Sequence, residues 1–352
     1  FDLKSFANSI APTEDLLSGT DDAPIIKLIN GIISQAIKQR ASDIHFEPYE
    51  ESFIVRFRID GILRTVLTQD ARIAPIVISR IKILSRLDIS ERRLPQDGRF
   101  SLSLGKKSVD VRVSTLPSSY GERIVLRLLD KESSQINIDD LGLNKLVLSN
   151  LKKTLRATEG MILVTGPTGS GKTTTLYASI RHINNQTQNI LTVEDPVEYT
   201  LTGIGQTQVN NKTGYDFSTG LRSILRQDPD IVMLGEIRDE ETARIAIQAS
   251  LTGHLVLSTV HTTSAVGAIT RLRDMGIESY LLASSIKTII AQRLVRRLCE
   301  ACKVSATISV SNADLLGLKA GSKTFMPEGC AQCDGSGYQG RIAIAESVLV
   351  DA

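Results

Sequence analysis

Met161-Ile162-Leu163-Val164-Thr165-Gly166-Pro167-Thr168-Gly169-Ser170-Gly171-Lys172-Thr173 is the stretch that decides the fold. Its first five residues predict a buried strand. The next eight have the spacing G-x-x-x-x-G-K-T, and a helical pattern opens at Lys172. Glycines are needed there so that consecutive backbone N–H groups can turn inward around phosphate oxygens. Lys172 supplies a point charge to the outer phosphates, the Thr173 hydroxyl is a Mg²⁺ ligand, and the helix N-terminus adds the positive end of its dipole. The predicted ATP-binding set is Gly166, Pro167, Thr168, Gly169, Ser170, Gly171, Lys172, Thr173 and Thr174.

Downstream, apolar runs end at Glu194-Asp195, at Gly235-Glu236 and at Thr259-Val260-His261, with helical segments between them. Strands that alternate with helices predict a parallel sheet, and ligands of such sheets bind beyond the carboxyl ends of the strands. Each run places a polar or acidic residue at that edge. A phosphate-loop enzyme needs one carboxylate near the metal and another to orient or deprotonate water. Gly235 stands where many such enzymes carry the metal-holding Asp, so Glu236 is assigned to the Mg²⁺ site, and Glu194 to water activation. His254 and His261 bracket the run Leu255–Val260, and both are expected beside the nucleotide, as sensors or as structural hydrogen-bond partners.

Upstream the pattern changes. From Asp22 to Gln39 isoleucines recur at helical spacing, with Asp22 as the expected cap. Phe53–Ile59 alternates apolar and charged residues like a half-buried strand, turns at Asp60-Gly61 and continues into Ile62-Leu63-Arg64. A helical stretch covers Ile73 to Leu87, and short strands follow near Val109–Val113 and Arg123–Leu129. Residues 1–130 are therefore expected to form a small α+β domain. Residues 131–140 are a polar linker, and 141–352 an α/β nucleotide-binding domain.

Four cysteines form two CxxC pairs, Cys299/Cys302 and Cys330/Cys333. Four thiolates suffice for a closed tetrahedral Zn²⁺ site, whereas a redox role would need only one pair. This places the chain in a reducing compartment and makes residues 298–340 a metal-organised excursion. Arg293, Arg296 and Arg297 lie beside it, as a partner surface or a solvated face. Lys+Arg 41 against Asp+Glu 39 leaves a net charge of +2, and aromatics are 4% with no Trp. Both facts argue against bulk or stacking-based nucleic-acid binding. No apolar run approaches the ~20 residues of a membrane-spanning helix. The chain starts at Phe1 and is expected to be a fragment of a longer protein.

The four boxes Gly166–Thr173, Ile190–Pro196, Leu221–Arg238 and Thr252–Thr262 resemble the Walker A, Asp, Walker B and His boxes of the secretion ATPases that serve type II and type IV secretion and type IV pili. Ser42-Asp43-Ile44-His45, Leu94–Arg99 and Asp110–Thr115 are similar to the small domain that precedes those boxes. Within the superfamily, Asp22–Asn30, Gly121-Glu122-Arg123, Arg271–Ile277 and the Cys₄ insert resemble the type II secretion ATPases. The resemblance implies a RecA-like ATPase domain after a PAS-like small domain, assembled as a homo-hexamer with nucleotide between the domains. It implies that Arg112 and Arg127 act as arginine fingers on the γ-phosphate. Arg222, Arg226, Arg238 and Arg271 are implied nucleotide or interface partners, and His261 lies in the nucleotide site. It also implies a cytoplasmic motor, peripheral to the inner membrane, that pushes on platform proteins; further N-terminal domains of the assembly ATPases are not seen in this chain. A type IV pilus assembly ATPase shares the same boxes, and a RecA-like nucleic-acid motor is the alternative from another class.

Overall fold

The computed structural model describes residues 23–104, 107–130 and 136–350. Asp22 and residues 131–135 of the expected linker lie outside the described residues. Contacts divide the chain into two compact units, split after residue 133.

In the first unit, α1 (Ala23–Lys38) precedes β1 (Asp43–Pro48), β2 (Ser52–Ile59) and β3 (Ile62–Asp70). Then come α2 (Ala74–Leu84), β4 (Gln96–Leu104), β5 (Lys107–Ser118) and β6 (Gly121–Asp130). The strands make one sheet in the order β3-β2-β1-β6-β5-β4, and every neighbouring pair is antiparallel. Asp60 and Gly61 both have positive φ, 48° and 87°, as a two-residue hairpin turn of that hand requires. Alternation along the strands sends Ile44, Phe46, Phe53, Val55, Phe57, Val111 and Leu126 into a core shared with the isoleucines of α1 and α2.

The other residues of β1 are Asp43, His45 and Glu47, and they are buried as well. Their charges are matched from the neighbouring strands. Glu47 accepts from Arg56 at 2.7 Å and from Arg123, while Arg127 Nε donates to Asp43 at 3.1 Å. Register places Asp43 opposite Arg127, and Arg127 opposite Arg112, so the two candidate fingers are cross-strand neighbours in a row that includes the Asp43 carboxylate. At the other end of β6, the buried Lys82 ammonium bonds both Glu122 oxygens, at 2.8 and 3.0 Å, and the Glu91 carbonyl at 2.6 Å.

In the second unit, α3 (Lys145–Thr154), β7 (Gly160–Thr165) and α4 (Lys172–Ile183) lead into β8 (Ile190–Glu194) and β9 (Gly205–Gln208). They are followed by α5 (Phe217–Ile224), β10 (Ile231–Leu234), α6 (Glu240–Leu251), β11 (Leu255–Val260), α7 (Ala265–Asp274) and α8 (Ser279–Ser285). The long strand β12 (Ile286–Leu298) leads to the hairpin strand β13 (Val304–Thr307), then to α9 (Val310–Leu316), the hairpin's second strand β14 (Lys323–Met326), and β15 (Tyr338–Leu349). Sheet order is β15-β12-β7-β11-β10-β8-β9. Only β15 runs antiparallel to its neighbour, so the sheet is mixed but mainly parallel.

Every residue of β7 is buried because alternate side chains serve two cores. Met161 and Leu163 pack with α5 through α8, and Ile162 and Val164 with α3 and α4. Parallel strands covered on both faces have this continuous apolar character. A 3₁₀ turn at Ile138–Leu141 buries Ile138 in the second of these cores.

Candidate active site

The phosphate loop joins β7 to α4 at the carboxyl edge of the sheet. Gly166, Gly169 and Gly171 have φ of 150°, 77° and 86°, all in the region that favours glycine. Pro167, Thr168 and Gly169 are exposed at the loop's crest, and Thr173 is exposed in the first turn of α4. Lys172 is buried, and its Nζ donates to the carbonyls of Gly166 at 2.9 Å and Pro167 at 3.1 Å. An ammonium has three donors, so one remains for a phosphate oxygen. Burial lowers the pKa of Lys172, and the negative charge of Glu236 works against that shift.

Glu236 follows β10, and it stands in one cluster with Lys172, Arg238 and His261. Arg238 Nη2 donates to Glu236 Oε1 at 2.5 Å, and His261 Nε2 lies 3.6 Å from Oε2. Burial, with the positive Lys172 nearby, lowers the pKa of His261. That shift favours the neutral ring, which acts as a hydrogen-bonding group. Gly235, the residue before Glu236, is held through both of its backbone groups. Gly235 N donates to Val193 O at 2.8 Å, and Thr259 Oγ1 donates to Gly235 O at 2.8 Å. A Cβ at Gly235 would meet the Glu194 Cα only at 3.5 Å, ordinary contact, so sterics do not demand the glycine.

Glu194 ends β8, which lies beyond β10 and β11 from the loop's own strand, about 14 Å away at ordinary strand spacing. It is 2% exposed. Thr192 Oγ1 at 2.6 Å and Gln206 Nε2 at 3.1 Å donate to one oxygen, and the Tyr177 hydroxyl donates to the other. Burial and the adjacent Glu194 charge push the Tyr177 phenol far above its ordinary range. Tyr177, on the second turn of the loop's own helix, thus ties α4 to the end of β8. Sequence reasoning did not single it out, since a tyrosine at a helix core position has no local sign of its hydroxyl's partner. The link between Thr165 and Thr262, with hydroxyls 2.6 Å apart, was missed for the same reason.

The structure brings Lys172, Glu236, Arg238 and His261 together. Arg222, Arg226 and His254 lie elsewhere. They line a groove of about 390 Å³ with Leu225, Ile245, Gln248, Ala249 and Thr252, and Arg222 is paired with Glu241. His254 precedes β11, at the opposite end of that strand from His261. The expectation that both histidines flank the nucleotide is therefore corrected: the six-residue strand between them sets them about 23 Å apart along its axis. His254 Nδ1 instead meets the Ala249 carbonyl at 3.0 Å. Arg271 is exposed in the last turn of α7. Arg112 and Arg127 belong to the first unit and occupy the row described above.

The cysteine module is built by β12, β15 and the segment between them. All four sulfurs lie within 4.8 Å of one another, with Cys299–Cys330 at 4.0 Å, Cys302–Cys333 at 3.7 Å and Cys330–Cys333 at 3.8 Å. A tetrahedral zinc with Zn–S bonds of about 2.3 Å has sulfur edges of about 3.8 Å, so the donor set fits that ion. Cys330 N and Gly337 N each donate to Cys333 Sγ at 3.2 Å, contacts that favour a thiolate.

A family model described as type II/IV secretion system protein matches residues 18–352. "Putative type II secretion system protein E" of Escherichia coli (strain K12) is 58% identical over 351 residues, which are 99% of this chain and 71% of that protein. "Type II secretion system ATPase E" of Vibrio cholerae is 53% identical over 352 residues, 99% of this chain and 70% of that one. Among solved structures, the pilus retraction motor PilT with bound ADP aligns at a TM-score of 0.64 and 27% identity, covering 92% of this chain and 83% of that chain.

Proposed function

The chain belongs to the type II/IV secretion system protein family, and from that premise we propose how its residues run an ATP-driven secretion motor. It is an ATPase of type II secretion. The observation that carries its chemistry is the half-enclosed cluster of Lys172, Glu236, Arg238 and His261 at the strand ends beside a glycine-rich phosphate loop.

Residues 166–174 cradle the phosphates, with Lys172 on the outer ones. Thr173 and Glu236 offer the hard oxygens that Mg²⁺ takes, and that ion would offset the charge of the β- and γ-phosphates. Glu194 is read as the residue that orients the attacking water and receives its proton, a role that requires its buried carboxylate, held by three donors, to become open to water. Oxygen–phosphorus bond formation to water is matched by cleavage of the γ-phosphorus bond to the ADP oxygen. Arg112 and Arg127 act on the γ-phosphate as arginine fingers, so that turnover depends on their arrival. Arg222 and Arg226, in a groove apart from the Lys172–Glu236 cluster, fit interface pairing better than nucleotide contact, and Arg271, exposed in the last turn of α7, is read as a nucleotide or interface partner.

The assembly is a homo-hexameric ring that works on cytoplasmic platform proteins at the inner membrane, with no nucleic acid partner. Among the described residues no helix is long and apolar enough to cross a membrane. The second unit is read as RecA-like. The first is read as PAS-like, supported by its antiparallel sheet with α1 and α2 packed on one face.

Specific ATPase activity should rise with protein concentration as rings form, and Arg127→Ala should lose turnover while keeping nucleotide affinity. A flat concentration dependence speaks against the ring, and unchanged turnover removes Arg127 from the finger role. At the cysteine module, metal analysis of protein purified without chelator should give one zinc per chain. Cys299→Ser should lower that content and loosen residues 298–340, because such a polar excursion buries little core without its metal. Finding no zinc would overturn the assignment.

A further inference from the structure

Strand β12 runs parallel beside β7, and Ala291 pairs with Thr165, the last residue before the phosphate loop. The next residue of β12, Gln292, therefore lies level with the loop itself. Its side chain is 2% exposed. Nε2 donates to the Ser170 carbonyl at 2.7 Å, and Oε1 accepts from Thr175 Oγ1, in the first turn of α4, at 2.9 Å. Its backbone presses on the loop from the other end: a Cβ at Gly166 would lie 2.4 Å from the Gln292 carbonyl oxygen. One residue of a neighbouring strand thus meets the beginning of the loop, its end, and the helix it opens.

We propose that Gln292 is a positioning residue for ATP binding, setting the Ser170–Gly171 peptide so that its N–H faces the phosphates. This rests on the ATPase reading. The physical step is short. The Ser170–Gly171 bond is trans, the cis bond among the described residues being Asp195–Pro196. In a trans peptide the carbonyl and the N–H point in opposite directions. Holding the Ser170 carbonyl toward β12 therefore turns the Gly171 N–H away from β12. Gly171 sits at φ 86°, where a glycine peptide can rotate at little cost, so a fixed partner is needed to select one orientation. The Ser170 carbonyl can only accept, so it keeps the Gln292 amide from flipping, and the Thr175 hydroxyl then donates to the amide oxygen.

The contact to phosphate is made in ground state and transition state alike, so its loss raises KM more than it lowers kcat. Gln292→Leu should raise both the KM for ATP and the Kd for the fluorescent nucleotide mant-ADP about tenfold, the scale of one well-placed hydrogen bond. Its kcat should stay within about threefold. Thr175→Val should give a smaller rise in the same direction, and the double variant no more than Gln292→Leu alone, since both act through one peptide. Gln292→Glu keeps the shape but removes the donor, and should repeat the effect if Gln292→Leu folds poorly. A purely structural role would lower Tm and leave KM and Kd unchanged; that result, in either Gln292 variant, overturns the proposal. If the wild-type chain itself fails to bind mant-ADP, the ATPase reading falls and this proposal with it. Wild-type binding with unchanged variants removes the Gln292 role alone.

Discussion

Lys172→Ala is expected to reduce ATP turnover at least about 100-fold and to weaken nucleotide binding as well. A charge placed where transferred phosphoryl oxygens gather negative charge contributes on this scale when its removal is measured. Lys172 is well prepared for that role. Its stem is buried, two of its three donors are spent on the carbonyls of Gly166 and Pro167, and the ammonium is held at the loop's inner edge. Little ordering is left to be done when phosphate arrives. Arginine should not rescue the loss, because a planar guanidinium does not fit a pocket shaped by two convergent carbonyls. Phosphate release and nucleotide affinity, measured together, check both halves of the expectation.

Glu236→Gln should behave differently. It is expected to lower turnover by two to three orders of magnitude, on the order of what one catalytic carboxylate supplies, while leaving ATP affinity within about threefold. The substitution is isosteric, so the Arg238 contact at 2.5 Å survives in a weaker, neutral form. What disappears is a negative charge beside Lys172 and His261. A triphosphate is not bound by that charge, so affinity is largely kept; hydrolysis needs the ligand set and charge balance that it provides. Retained binding with lost turnover would separate Glu236 from Lys172, whose removal costs both.

Much of this site was legible in the sequence because its parts are local. A strand, a glycine loop and a helix start occupy one continuous stretch, and Glu194, Glu236 and His261 each end an apolar run. The two CxxC pairs were legible for the same reason. What strand ends alone cannot tell is which end. His254 and His261 flank the same strand, but a parallel sheet puts only its carboxyl edge beside the loop, and His254 lies at the other edge. Arg222 and Arg226 share that groove, so their proximity in sequence to Glu236 does not become proximity in space.

Long-range partners were the hardest to read. Gln292 and Ser170 are separated by over a hundred positions, and nothing short of the β12–β7 register joins them. The strand β12 itself was not anticipated, and its polar residue after an apolar run, at the sheet's carboxyl edge, was the signal available. In the first unit β4 was likewise missed: its sequence, Gln96–Leu104, mixes charged and small residues because it is the sheet's edge. Burial of Asp43, His45 and Glu47 was unexpected for a different reason. Charged residues are rarely buried unless partners reach them, and those partners come from two neighbouring strands.

The central claim is that a phosphate loop and the Lys172–Glu236 pair hydrolyse ATP in this chain. Steady-state phosphate release by the wild-type protein, Lys172→Ala and Glu236→Gln, at matched protein, ATP and Mg²⁺ concentrations, tests it most directly. The account predicts sustained release from the wild type and at least about a 100-fold loss in both variants. Equal rates in all three would contradict it.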